Sequence, residues 1–271
     1  MKTDDLMDSP ARPLGSIGQK GEHRCALGVM AKAQVPGKVK TRLVPPLTDL
    51  EAATLGACFL RDTIKSIARA ADVSKNADGV VVYTPADAES AFADLIPDNF
   101  HLLRQRGASL GERLFNATKD LLSRGFQSVC LVNADSPTLP CAYLCEAVAR
   151  LSRAGDRLVL GQADDGGYYL IGLKLAHAQL FERIAWSTSQ VFAQTIERAA
   201  EISLEIELLP AWYDVDDAAA LRKLCAELFS PARNGAHDQE NGEETRAYLS
   251  GLIEGEGGAR ICSALIAASS S

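Results

Sequence analysis

Histidine is scarce in this chain, and long apolar runs are missing altogether. The four histidines, at positions 23, 101, 177 and 237, stand apart from one another and from every motif described below. That spacing argues against a histidine-based nucleophile relay and against a His-rich metal centre. No apolar stretch approaches the roughly 20 residues that cross a bilayer. Residues 1–20 mix charges with Pro and Gly and lack the apolar centre of a secretory leader. Basic residues are in the minority, with a formal net charge of -7, which argues against a nucleic-acid coat or a membrane-surface binder. The seven cysteines, at 25, 58, 130, 141, 145, 225 and 262, are scattered and odd in number. Only Cys141 and Cys145 lie close together. No second Cys or His pair accompanies them, so a helix face is favoured over a zinc site. No internal repeat is found. The expectation is a cytoplasmic globular protein with no nucleic-acid or membrane partner.

Hydrophobic residues make up 47% of the chain and charged residues 23%, and 271 residues suit one large domain or two small ones. Residues 1–22 are polar and punctuated by Gly and Pro, the composition of a disordered tail. A core domain is expected over 23–230, and 231–271 reads as an appendage, partly helical around 243–254 or disordered. Within the core, strands are expected at Arg24–Met30, Gly79–Thr84, Phe100–Arg104, Gln127–Asn133, Arg157–Gly161, Tyr168–Leu173 and near 205–209. Helices are expected from a Thr48 cap to about Ala71, from Pro85 through Leu95, from a Ser109 cap to about Ser123, over 141–152, near 176–183 and 189–201, and over 217–228. Leu50, Ala53, Leu55, Phe59, Leu60, Ile64 and Ile67 form the apolar stripe of the first helix. The alternation predicts an α/β fold: a mostly parallel sheet covered by helices on both faces.

One segment departs from the acidic background. From Arg24 to Thr48 there is no acid, but there are five cations: Arg24, Lys32, Lys38, Lys40 and Arg42. The loop leaves the first strand and contains Gly37, whose backbone can approach a ligand closely. Fixed positive charge and exposed N–H groups bind phosphate. Lys38, Lys40 and Arg42 alternate, so an extended backbone would direct them together onto a di- or triphosphate. A solvated basic loop is the plainer alternative.

Three acidic loops sit at other strand ends, where open α/β sheets bind ligands. In Asn133-Ala-Asp135-Ser-Pro-Thr138, Asp135 is a candidate ligand for Mg or Mn between phosphate oxygens, or else part of a helix cap. In Asp164-Asp165-Gly166-Gly167-Tyr168, a hairpin turn explains Asp-Gly. The second Gly and the paired tyrosines suggest an acceptor site in which Asp164 or Asp165 binds sugar hydroxyls or acts as a base. In Asp214-Val-Asp216-Asp217, Asp217 reads as a helix cap. Asp214 and Asp216 face one side of an extended segment, where a cation would relieve their repulsion; Asp216 is the better second metal ligand. Gln105 to Gly111 leaves the third strand with two glycines and reads either as a nucleobase-contacting loop or as a simple strand-to-helix turn. Trp186-Ser187-Thr188 lines an acceptor pocket or caps a helix.

Taken together, Val29–Leu43, Gln105–Arg113, Asn133–Thr138, Asp165–Leu173, Trp186–Thr188 and Asp214–Asp217 resemble, in order and spacing, the bacterial family DUF2064 of the nucleotide-diphospho-sugar transferase superfamily. The resemblance covers about residues 24–228. It implies a glycosyltransferase-A-type fold, a Rossmann-like αβα sandwich. It also implies transferase activity, and some members sit beside radical-enzyme genes of arsenosugar formation. The layout is similar as well to the guanylyltransferases of deazaflavin-cofactor biosynthesis, which carry a Lys-Ser-Arg-Leu loop where this chain has Lys40-Thr41-Arg42-Leu43. By that likeness Gln105 and Gly111 fall near the base, Asp135 and Asp216 at the metal, and Asp165, Gly166, Gly167 and Tyr168 near the transferred group. Glycosyltransferases of this fold show Asp-X-Asp after the fourth strand. Here Asn133 replaces the first Asp, and two metal ligands from distant loops, as in nucleotidyltransferases, would compensate.

The functional expectation is therefore a metal-dependent glycosyltransferase. It would take a nucleotide-diphospho-sugar donor and a small-molecule acceptor. Lys32, Gly37, Lys38, Lys40 and Arg42 would hold the diphosphate, with Lys40 and Arg42 also stabilising the leaving group, and Asp165 would assist the acceptor. The alternatives are a nucleotidyltransferase that joins GTP or CTP to a phosphorylated small molecule, and a nucleotide-binding regulatory or scaffold protein. A monomer or homodimer fits any of these.

Overall fold

The computed structural model describes residues 23–93, 95–97, 99–230, 241–255, 258, 260 and 261. The tail expected over 1–22 lies outside the described residues, as do 231–240 and 262–271 of the C-terminal appendage.

Seven strands form one sheet: β1 (Cys25–Lys32), β2 (Ala77–Thr84), β3 (His101–Arg104), β4 (Ser128–Val132), β5 (Arg157–Ala163), β6 (Tyr168–Leu173) and β7 (Glu205–Trp212), in the order β3-β2-β1-β4-β6-β5-β7. All run parallel except β6, which is antiparallel to both of its neighbours, β4 and β5. Around the sheet lie α1 (Asp49–Ser74), α2 (Glu89–Ala93), α3 (Leu110–Ser123), α4 (Cys141–Leu151), α5 (Val191–Glu201), α6 (Ala218–Leu228) and α7 (Glu243–Glu254).

Strand periodicity splits the core into two layers. On β1, Cys25, Leu27, Val29 and Ala31 join Ile64 and Ile67 of α1 and Leu144 and Val148 of α4 on one face. Ala26, with Val80 and Val82 of β2, joins Leu114, Ala117 and Leu121 of α3 and Ala199 of α5 on the other. The result is a Rossmann-like αβα sandwich. A third apolar cluster lies outside α1, where Leu55 and Phe59 meet Leu221 and Leu224 of α6 and Leu249 of α7.

Several local expectations are refined. Thr48 begins α1 with a full capping box in which Glu51 returns the bond to the Thr48 N–H. Leu50, expected in the buried stripe, is 66% exposed, because it falls on the outer side of the first turn of α1, whose inner side buries Ala52 and Ala53. The helix expected from Pro85 starts only at Glu89, after a turn closed by Ala88 N–H on the Pro85 carbonyl. The helix expected near 176–183 is a single 3₁₀ turn, Ala178–Phe181. β7 runs on through Pro210 to Trp212 because it is an edge strand bonded only to β5, so the missing N–H of proline leaves no ladder bond broken.

The segment beyond Gly242 is tied to α1 by a buried acid. Asp62 accepts bonds from Glu244 N–H (2.9 Å), Thr245 N–H (3.0 Å) and the Thr245 hydroxyl (2.6 Å), and so caps α7 from outside. Arg260 reaches the Pro46 carbonyl and Glu51, fastening the same segment to the start of α1.

Candidate active site

The carboxyl ends of β1, β4, β5 and β7 open on one edge of the sheet, and the turn from β5 into the reversed strand β6 lies there too. The basic loop after β1 is not extended, contrary to the alternation argument. It turns at Val35–Lys38 with Gly37 at φ 72, then puts Lys40 in the left-handed region (φ 48) ahead of a 3₁₀ turn at Thr41–Leu43. The cause is Leu43, which is fully buried against the third cluster and draws the chain down into a compact turn.

That turn separates the three expected phosphate ligands. Lys38 and Arg42 are exposed, whereas the Lys40 side chain keeps only 7% of its surface. The Lys40 ammonium lies 2.6 Å from Asp135 Oδ1, 3.0 Å from Asp216 Oδ1 and 2.8 Å from the Val215 carbonyl, and 5.2 Å from the centre of the Phe59 ring. Burial by itself disfavours the ammonium, but the charges of Asp135 and Asp216 outweigh it and the Lys40 pKa is raised. Arg42 pairs with the other oxygen of Asp216 at 2.6 Å. The loops carrying Asp135 and Asp216 are joined directly by Val215 N–H on the Asp135 carbonyl (2.8 Å), so the two carboxylates converge as a consequence of backbone pairing.

Around this knot the cleft divides into three connected cavities, all lined by Arg42 and Asp216. The first, about 290 Å³, is walled by Lys32, Lys38, Lys40 and Arg42 against Asp135 and Asp216. The second, about 530 Å³, carries Asp135, Asp165, Asp214 and Asp216 with Asn133, Tyr168, Trp186, Ser187 and Thr188, and its sole cation is Arg42. The third, about 270 Å³, runs past Asp164, Asp217 and Lys223. One end of the cleft is cationic and the other is anionic.

The turn Asp164–Gly167 is a hairpin connection between β5 and β6, closed by Ala163 N–H on the Gly167 carbonyl and Gly166 N–H on the Ala163 carbonyl. It also lines the acidic cavity through Asp165, Gly167 and Tyr168. Asp165 Oδ1 accepts the Gly167 N–H at 2.8 Å, which fixes the carboxylate over the cavity. Gly166 (φ 87) lies against the backbone of Ser189, bringing the Trp186–Ser189 segment up to the same cavity.

Two expected base-binding residues are placed differently. The Gln105 amide donates to the carbonyls of Ala31 (3.1 Å) and Val82 (2.8 Å) and lines none of the three cavities. Gly111 is buried beneath the Trp186 indole, where an added Cβ would sit 2.7 Å from Nε1. Gly111 thus gives Trp186 its seat.

Other contributors went unnoticed in the sequence. Phe59 backs the Lys40 ammonium from inside the apolar stripe of α1, where nothing in the pattern distinguishes it. Lys223 bonds Asp164 (2.8 Å) and covers the Tyr213 ring at 4.1 Å, an arrangement its helical position did not signal.

Asp214 carries a measurable mark of this crowding. Burial, followed by the charges of Asp165, Asp216 and Asp135, raises its pKa to about 6. An unfolded Asp titrates near 3.9, so the folded state holds this proton more tightly and the ionised carboxylate opposes folding at neutral pH. Asp214→Asn is therefore expected to raise the melting temperature at about pH 8, with a gain that shrinks as pH falls from about 6 and vanishes below about 4. A gain independent of pH would show that the charge of Asp214 is not the source.

Among the described residues no group of three or more His, Cys, Asp or Glu side chains is gathered closely enough to enclose a metal. The donors on offer, Asp135 and Asp216, are hard oxygens from two loops. They suit Mg²⁺ or Mn²⁺ when phosphate oxygens and water complete the shell.

No curated protein matches the chain. Among solved structures, a protein from Desulfovibrio desulfuricans G20, provisionally named a nucleotide-diphospho-sugar transferase, is 30% identical, with a TM-score of 0.74 over 90% of this chain and 99% of that one. A cytidylyltransferase from Leptospira borgpetersenii serovar Hardjo-bovis is 12% identical, with a TM-score of 0.49 over 84% of this chain and 94% of that one. CMP:2-keto-3-deoxy-manno-octonic acid synthetase in complex with CTP is also 12% identical, at a TM-score of 0.46 over 75% and 97%. Residues 67–188 match the family model described as an uncharacterised protein conserved in bacteria, DUF2064. With that match and a 30% identical relative spanned almost end to end, the chain belongs to the DUF2064 family.

Proposed function

We propose that the protein is a transferase acting on a nucleotide substrate, specifically a metal-dependent glycosyltransferase with a nucleotide-diphospho-sugar donor and a small hydroxylated acceptor. The observation that carries this reading is the polarity of the cleft: a cationic cavity meets an acidic one at the Lys40–Asp135–Asp216 knot. The name of the 30% identical Desulfovibrio protein agrees with it.

In this reading Lys32, Lys38 and Arg42 would hold the diphosphate, and Asp135 and Asp216 would supply the carboxylates for a divalent ion. When bound, the ion neutralises charge on the leaving diphosphate. The sugar extends into the acidic cavity, where Asp165, Asn133 and Thr188 offer hydrogen-bond partners to hydroxyls and Trp186 offers an apolar face. The acceptor oxygen bonds the anomeric carbon as the bond from that carbon to the diphosphate breaks. The bonding pair leaves with the diphosphate, and the acceptor proton passes to the Asp165 carboxylate. Four carboxylates against one cation make this cavity a poor host for a phosphorylated or carboxylated acceptor.

Nucleotidyl transfer remains the second reading, favoured by the split of the two carboxylates between the β4 and β7 loops. A donor panel of nucleotide-sugars and nucleoside triphosphates, with Mg²⁺ or Mn²⁺ and mass-spectrometric detection, separates them. Release of nucleoside diphosphate supports the first reading, and release of pyrophosphate the second. No thermal shift with any nucleotide would sink both. Within either reading, Lys38→Ala or Arg42→Ala is expected to weaken nucleotide affinity by ~1–3 kcal/mol in titration calorimetry, the range for a charge-assisted phosphate bond. Unchanged affinity would return the loop to a solvated surface.

A further inference from the structure

Lys40 stands where the divalent ion of the proposed reaction would belong. Its ammonium bridges Asp135 and Asp216 at 2.6 and 3.0 Å, while the Val215 carbonyl takes another of its protons at 2.8 Å. We propose that Lys40 is a tethered counter-ion: it holds the two carboxylates in the free protein and yields them only when a diphosphate draws its ammonium away, so that the metal enters with the nucleotide and not before it. This rests on the reading of the cleft as a nucleotide-diphosphate site.

Three observations carry it. First, both carboxylates are already paired: Lys40 bridges Asp135 and Asp216 and Arg42 holds the other oxygen of Asp216, so a free divalent ion would have to enter against an ammonium seated between its two ligands. Second, the Lys40 side chain is only 7% exposed and lies over Phe59, so it is packed in place as well as paired. Third, Lys40 also lines the 290 Å³ cavity beside Lys32, Lys38 and Arg42. A diphosphate seated there offers the ammonium new anionic partners within reach of side-chain rotation on its four-carbon stem. The exchange conserves pairing: Lys40 passes from carboxylate to phosphate, and the metal takes both.

The test uses the whole protein and Mn²⁺, with protein-bound metal read by equilibrium dialysis against the same nucleotide-containing buffer, so that Mn²⁺ chelated by free nucleotide is not counted. Wild type should bind Mn²⁺ weakly alone and at least about tenfold more tightly with a saturating nucleoside diphosphate, a coupling of ordinary allosteric size. Lys40→Met, which keeps the apolar stem over Phe59, should bind Mn²⁺ alone at least about tenfold more tightly than wild type. It should also lose most of the nucleotide-dependent gain, since nothing is left to displace. Lys40→Gln serves if the Met variant does not fold, judged by circular dichroism. Equal Mn²⁺ affinity of wild type and the variant in the absence of nucleotide would overturn the proposal while leaving the nucleotide site intact. Failure of wild type to take up Mn²⁺ with any nucleoside di- or triphosphate would instead overturn the functional reading on which it rests, and the proposal with it.

Discussion

Asp135→Ala is expected to cut donor-dependent turnover by about a hundred- to a thousandfold while leaving the protein folded. The magnitude is that of removing one group which stabilises charge on a leaving or reacting centre. The structural side effect is smaller. Stripping one partner from a fully buried ion pair costs about 3–5 kcal/mol. Here, however, Lys40 keeps Asp216 and the Val215 carbonyl, and the Asp135 side chain is 40% exposed. A loss of about 1–2 kcal/mol is the reasonable scale. Turnover and thermal unfolding measured on the same preparation separate the two effects. Turnover within about threefold of wild type would remove Asp135 from the chemistry, since a group acting on the leaving charge cannot be lost so cheaply.

The second large effect concerns backbone. In Gly166→Ala the new Cβ would lie 2.2 Å from the Ser189 carbonyl oxygen and 2.6 Å from Ser189 Cα, at a residue whose φ is +87°. Both problems are main-chain problems, so no side-chain rotation relieves them. The start of α5 is bonded to the same glycine, Phe192 N–H to the Gly166 carbonyl at 2.9 Å. The methyl group therefore prises the β5–β6 turn from the segment carrying Trp186 to Ser189. A loss of at least about 3 kcal/mol is expected, a fall of about 6–12 °C in melting temperature for a chain this size. Gly167→Ala is the control, since the nearest atoms to its Cβ belong to the Asp165 side chain, the closest at 3.0 Å, and no backbone atom is nearer. Equal melting temperatures for the two variants would refute the argument.

The fold was largely legible because its signals are local and redundant. The β-branched run of β2 and the apolar stripe of α1 both follow from burial patterns that a short window contains. The cap at Asp217 is equally local: its carboxylate takes the N–H groups of Ala219 and Ala220, both at 2.9 Å. The Ser109 start was half legible, since Glu112 does lie at box spacing but turns back to the Ala108 N–H, one residue early. Residue types at the site were readable too, because carboxylates at strand ends and cations in an acid-free loop are unusual choices. Their mutual arrangement was not. Lys38, Lys40 and Arg42 look equivalent in sequence, yet burial of Leu43 twists the loop so that one cation goes inward and two stay out. Gln105 has the chemistry to read a base but spends its amide on two main-chain carbonyls, a use that only the meeting of β1, β2 and β3 reveals.

The opposed charges at the two ends of the cleft have a kinetic consequence. A substrate that is anionic along one half and neutral along the other experiences a torque before it experiences contact. In the proposed reading it would arrive with its phosphates toward Lys38 and Arg42 and its uncharged half toward Asp165 and Asp214. Such pre-alignment raises the fraction of productive encounters without adding a single bond. Its reach is about one Debye length, roughly 8 Å at physiological ionic strength, so added salt slows capture of the substrate while leaving the interactions of the bound state closer to unchanged.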